Sequence, residues 1–144
     1  MNIVIGDLLD AKEDIIVHQV NCQKRMGKGI ASQIRDKFPS AFRDYMSVNN
    51  PILGMTYVSA IDSRRYVAHL FAQKYYGTDK RHTNYEALYT SLERVKYLAT
   101  TWNKSVAIPY KLGSNLGGAN WEIVLKMIEV LFKDCEITIY KLEE

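Results

Sequence analysis

Short apolar runs alternate with longer stretches of mixed polarity along the whole chain. Ile3-Val4-Ile5 stops at Gly6-Asp7, and Ile15-Ile16-Val17-His18-Gln19-Val20 stops at Asn21. Both runs are short, rich in β-branched residues and bounded by turn formers, which predicts buried strands. Ile30, Ile34 and Phe38 then recur at every fourth position, a spacing that predicts a helix over 29–38, punctuated by Pro39-Ser40. A short helix through Phe42 and Met46 is expected next, before a loop at Asn49-Asn50-Pro51. Residues 55–61 and 65–71 read as two further strands joined at Asp62-Ser63.

The helical pattern is strongest over 84–101. Tyr85, Leu88, Leu92, Val95 and Ala99 form one stripe, Glu86, Glu93, Arg94 and Lys96 lie off it, and Thr83 or Asn84 can cap its start. A strand over 105–109, a glycine-rich loop over 113–120, a helix over 121–132 and a closing strand over 136–140 complete the pattern. Strand–helix alternation of this kind predicts an α/β fold of three layers, with helices on both faces of a mixed sheet. Such sheets bind ligands at the carboxyl ends of their strands, so the residues that follow each strand matter most.

Composition narrows the classes. A chain of 144 residues, 47% apolar and 24% charged, can bury a core and is expected to form one domain over 1–144. A net charge of +3 fits an anionic small ligand and falls short of the concentrated basic face of a nucleic-acid binder, so no nucleic-acid partner is expected. Ten tyrosines can serve the core, an interface or a stacking site. Cys22 and Cys135 form no disulfide framework, and with His18, His69 and His82 they show no metal-ligand spacing, so neither metal nor cofactor is expected. No apolar run approaches the ~20 residues of a membrane span, and the N-terminus lacks a basic region or cleavage site, so a cytoplasmic protein without a membrane partner is expected.

The strand ends carry the chemistry. Asp7, just past the first strand, can accept from an exocyclic amine such as adenine N6, or cap a turn. The second strand runs into Asn21-Cys22-Gln23-Lys24-Arg25-Met26-Gly27-Lys28-Gly29-Ile30-Ala31, where glycines permit close backbone approach and a helix N-terminus offers free N–H donors to an anion. The strand ending at Pro109 leads into Tyr110-Lys111-Leu112-Gly113-Ser114-Asn115-Leu116-Gly117-Gly118-Ala119-Asn120, a second glycine-rich turn before a helix. Each loop can be a plain turn; together they can clamp a diphosphate. Neither is a dinucleotide or Walker motif, and no Lys-Ser/Thr pair follows to hold magnesium.

Gly6-Asp7-Leu8, Val17 to Cys22, Met26 to Ala31 and Pro109 through Trp121-Glu122, with the final Ile137-Thr138-Ile139-Tyr140, resemble the macro domain family in order over nearly the whole chain. The resemblance is closest to the small branch that contains terminal ADP-ribose protein glycohydrolase and the yeast-type ADP-ribose 1''-phosphate phosphatase. It implies an α/β/α fold with a mostly parallel sheet and, as partner, ADP-ribose, a derivative of it, or an ADP-ribosylated protein. By the same resemblance Asp7 binds the adenine amine beside Leu8 and Tyr140. Asn21 with Met26, Gly27, Lys28, Gly29 and Ile30 wraps the distal ribose and diphosphate. Pro109, Lys111, Leu112, Gly113, Ser114, Asn115, Leu116 and Gly117 supply the second loop.

Hydrolysis of ADP-ribose 1''-phosphate is the preferred activity that the resemblance implies; release of ADP-ribose from acidic side chains, or binding alone, is the alternative. The glycohydrolases use a lysine near the strand before the long helix. Lys74 is close to that position, and an ungapped alignment can put Gln73 there instead. They also use an aspartate in the second loop, where this chain reads Gly118-Ala119-Asn120-Trp121 and has no Asp or Glu between Pro109 and Trp121. Asn120 can cap a helix or bond a ribose hydroxyl but cannot act as a carboxylate base. For phosphatase chemistry the candidates are Asn21 and His18, the latter an acid or base near pH 7 or a hydrogen-bonded core residue. His82 is a rim gate or a surface histidine, and Tyr75 and Tyr76 fall where a rim is expected.

Overall fold

The β-branched runs pair into one six-stranded sheet in a computed structural model that describes residues 1–77 and 79–143. Its strands are β1 (Asn2–Ile5), β2 (Ile15–Asn21), β3 (Thr56–Ala60), β4 (Tyr66–Gln73), β5 (Val106–Pro109) and β6 (Ile137–Lys141). The order is β1-β6-β5-β2-β4-β3, and every neighbouring pair is parallel except antiparallel β3–β4. The helices are α1 (Gly29–Lys37), α2 (Pro39–Ser47), α3 (Tyr85–Trp102) and α4 (Trp121–Leu131). This is the expected three-layer α/β/α arrangement.

Period-2 alternation along the central strands divides the core. Ile15, Val17, Leu70, Val106 and Ile108 pack with Leu88, Leu92 and Val95 of α3 and Val124 and Ile128 of α4. Ile16, Val67 and Ala107 point the other way, onto Ile34 and Ala41 of α1 and α2, and Val20 and Phe71 continue that layer against Tyr45. The α3 stripe is fully buried at Leu88, Leu92 and Val95, each contributing about 1.5–3 kcal/mol of apolar burial. Asn84 caps α3 by accepting from the Ala87 N–H at 2.9 Å.

One strand departs from expectation. β1 is exposed rather than buried, with Ile3 and Ile5 more than half accessible. It pairs only with β6, at the sheet edge. Among the described residues, no helix is long and apolar enough to cross a membrane.

Candidate functional site

Parallel pairing lines up the carboxyl ends of β1, β6, β5, β2 and β4 along one edge of the sheet. In that order the ends carry Asp7, Tyr140, Pro109, Asn21 and Gln73. At a strand spacing of about 4.8 Å the row spans roughly 19 Å. Above its β5–β2–β4 part opens a cavity of about 610 Å³, lined by the β2–α1 and β5–α4 loops.

Asn21 builds the first loop. Its Oδ1 accepts from the Gln23 and Arg25 N–H groups, both at 3.1 Å, and its Nδ2 donates to the Arg25 carbonyl at 2.8 Å. The Tyr45 hydroxyl donates to the Asn21 carbonyl at 2.8 Å. A register shift between β2 and β4 sets Val20 opposite Phe71 but Asn21 opposite Gln73, and both residues line the cavity. α1 then begins at the cavity. Lys28 is its N-cap but makes no side-chain cap bond, so the first turn of α1 faces the cavity without a capping side chain.

The second loop is held by a side-chain network. Gln19 Nε2 donates to Gln73 Oε1 at 2.8 Å and to Thr83 Oγ1 at 2.7 Å, and Thr83 Oγ1 donates to the Gly113 carbonyl at 2.7 Å. The His82 and Thr83 N–H groups donate to the Gly117 carbonyl. Leu116 reaches across to the first loop, where a Cβ on Gly29 would stand 3.2 Å from its Cδ1. The two glycine turns therefore meet over one cavity.

Electrostatics give this cavity its character. Lys24, Arg25, Lys28, Arg35 and Lys111 line it, and none of its described lining residues is a carboxylate. Lys24 is tied to the Met46 and Val48 carbonyls and Arg35 to that of Met26. Arg25 lies over the Tyr76 ring, 5.5 Å from its centroid, at the rim. At the buried end His18 is 1% exposed, and its Nε2 lies 2.8 Å from His69 Nδ1. Burial and the neighbouring His69 push the His18 imidazole well below the ordinary 6.5, so it is neutral at pH 7.

Of the expected site residues, His18, Asn21, Met26, Gly27, Lys28, Gly29, Ile30, Pro109, Lys111, Leu112, Gly113, Asn115, Leu116 and Gly117 line the cavity. Ser114 does not. Lys74 is exposed, with its ammonium 5.5 Å from the Tyr75 ring centroid and outside the lining, while Gln73 lines the cavity. Asn120 spends its Oδ1 on the Glu122 N–H at 2.9 Å, capping α4. Asp7 caps the 3-10 turn Leu8–Asp10 through the Leu9 N–H at 2.9 Å, and Leu8 is buried in the α1/α2 core.

Tyr140 stands one strand over from Pro109 and donates to Glu13 Oε1 at 2.5 Å. Burial and the Glu13 carboxylate push its hydroxyl up to about 12. Tyr76 lines the cavity and Tyr75 does not; His82 is folded inward, with its Nε2 2.7 Å from Asp79 Oδ1. Gln19, Arg35, Phe42 and Met46 were not expected at the site. Phe42 and Met46 carried only a helix-core signal, and no local signal marks Gln19 beyond its place beside His18.

Fold and cavity define a known class. The Macro domain family model matches residues 17–128, and the chain belongs to the macro domain family. It is 29% identical over 144 aligned residues to a DNA ADP-ribosyl glycohydrolase of Mycobacterium tuberculosis, covering 94% of this chain but 40% of that relative's length. It is 25% identical to an ADP-ribose 1''-phosphate phosphatase of Meyerozyma guilliermondii, over 85% of this chain and 88% of that protein. Among solved structures, the macrodomain of Mycobacterium tuberculosis DarG matches with a TM-score of 0.83 at 27% identity over 96% of each chain.

Proposed function

We propose that the cavity binds ADP-ribose and that the protein releases phosphate from ADP-ribose 1''-phosphate. The observation that carries this is the lining itself, five cations with no described carboxylate among them. A diphosphate and a terminal phosphate are stabilised there, and they meet backbone N–H donors at the start of α1. On this reading the ligand follows the sheet edge. Adenine lies toward Asp7 Oδ2 and Tyr140, beside buried Leu8, the diphosphate between the loops, and the distal ribose near Asn21 and His18. The similarity to a fungal ADP-ribose 1''-phosphate phosphatase over most of both chains supports it.

Glycohydrolysis through a lysine and a loop carboxylate is disfavoured. Lys74 lies outside the lining, Gln73 lines the cavity, and Asn120 is occupied as a helix cap. Calorimetry with ADP-ribose, followed by phosphate release from ADP-ribose 1''-phosphate, tests the proposal. Binding is expected to weaken in Asp7→Ala, and turnover to fall in His18→Ala. Release of ADP-ribose from ADP-ribosylated glutamate or DNA, with no phosphate release from the monoester, would overturn the assigned reaction. Tight binding with no turnover of any of these would leave an ADP-ribose reader.

A further inference from the structure

His18 and His69 are direct register partners on adjacent parallel strands, so their side chains rise together from one face of the sheet. The row continues beyond them. His18 Nε2 is 2.8 Å from His69 Nδ1, and His69 Nε2 is 3.0 Å from Ser59 Oγ on β3. All three residues are at most 1% exposed. Tyr45 stacks on His69 with ring centroids 5.7 Å apart and closes the row on its helical side.

In a closed row, the donor with the fewest alternatives sets the direction of every bond. Among the described residues, the Ser59 hydroxyl has His69 as its one side-chain partner. With Ser59 accepting, both the buried Ser59 O–H and the lone pair of His18 Nδ1 go unmet; with Ser59 donating, the single unmet group is the His18 Nδ1–H, which an anion can satisfy. Ser59 therefore donates to His69 Nε2, so the His69 proton sits on Nδ1 and is donated to His18 Nε2. The His18 proton is then on Nδ1. Among the described residues, that nitrogen and Gln19 Oε1 are the two buried side-chain polar atoms without a partner.

We infer that Ser59 and His69 are positioning residues that lock His18 as a neutral donor, its Nδ1–H reserved for an anionic phosphate oxygen of the cavity's occupant. This rests on the reading of the cavity as a site for a phosphorylated distal ribose. A lysine in place of His18 would also attract phosphate, but as a flexible charge. A neutral imidazole fixed at its far nitrogen by a second imidazole supplies a directed donor with no charge to desolvate. No proton is transferred in this role. His18 orients the phosphate and lowers the energy of charge on its oxygen.

The histidine ring nitrogens report the lock directly. In ¹⁵N NMR spectra of the free protein between pH 6 and 8, His18 is expected to show a protonated Nδ1 and an unprotonated Nε2. Ser59→Ala is expected to mix the two tautomers and weaken ADP-ribose 1''-phosphate binding about ten-fold, with ADP-ribose binding less affected. Ser59→Thr, which keeps the hydroxyl, is expected to restore both. An unprotonated His18 Nδ1 in the unaltered protein would overturn the inference, as would a Ser59→Ala protein with unchanged tautomer and affinity. The free-protein spectrum judges the relay without any ligand, so failure to bind ADP-ribose would count against the proposed function alone.

Discussion

A single methyl group is too large for position 117. A Cβ there would lie 2.2 Å from Thr83 Oγ1, 2.7 Å from the Gly113 carbonyl and 2.9 Å from Gln19 Nε2, and the carbonyl cannot swing aside. Gly117→Ala is expected to destabilise the fold by about 1–3 kcal/mol and to abolish tight ADP-ribose binding by spreading the second loop. Gly27 is the internal control: it also lines the cavity, but a Cβ there meets nothing within 4 Å. Gly27→Ala is expected to stay within about 0.5 kcal/mol of the parent. Urea denaturation of both variants, with calorimetry, checks the pair; equal stabilities would refute the packing account. The same scale explains which single residues could not be read from sequence. Lys74 and Gln73 are neighbours in the chain, and the side chain that lines the cavity is Gln73, at the end of β4 beside a register shift that no local pattern announces.

At the scale of elements the sequence was far more legible. Helices and strands follow from periods of 3.6 and 2, which are local properties, and each expected segment is present to within a few residues. The 3-10 turn at Leu8–Asp10 is too short to produce a period, and the exposure of β1 depends on strand order, which is nonlocal. The pairing of β2 with β4 is nonlocal too, and it creates the buried histidine pair. Burial holds His69 down to about 4 from the ordinary 6.5, and His18 moves the same way. Between those values the unfolded chain binds more protons than the folded one, so stability rises with pH to a plateau near 7 and falls as pH drops below 6.5. By pH 5, His69 alone removes about 2 kcal/mol. Asp62, drawn down to about 2 by the Arg65 and Arg64 N–H groups, acts only below its ordinary 3.8, so the window from 5 to 7 belongs to the histidines. Urea melts across that window should show the slope, and His69→Gln should reduce it to the share that His18 contributes; a flat profile in the parent protein would contradict the pair's neutrality.

Across the whole molecule, charge is unevenly placed: Lys24, Arg25, Lys28 and Arg35 come from one stretch of the chain, and folding brings Lys111 to them. The net charge is +3, yet five cations line one cavity whose described lining holds no carboxylate, so the rest of the molecule is net acidic by two charges. Such a distribution places the attraction for a phosphorylated ligand at the cavity. Arg25, Lys28 and Lys111 make no ion pair with a carboxylate among the described residues, and Arg25 and Lys111 lie over the rings of Tyr76 and Tyr110, so no neighbouring carboxylate neutralises the charge they bring to the cavity. Lys28→Ala and Lys111→Ala are each expected to weaken ADP-ribose binding roughly two- to five-fold with little change in stability, the size of partly screened charge contacts. Lys133→Ala, on exposed surface outside the lining, is the control and should do neither. Raising sodium chloride from 50 to about 500 mM should narrow the gap between parent and lysine variants, because screening removes what the substitutions remove. A gap that persists at high salt would mean that the lysines act by shaping the loops, and that backbone N–H groups alone hold the phosphates.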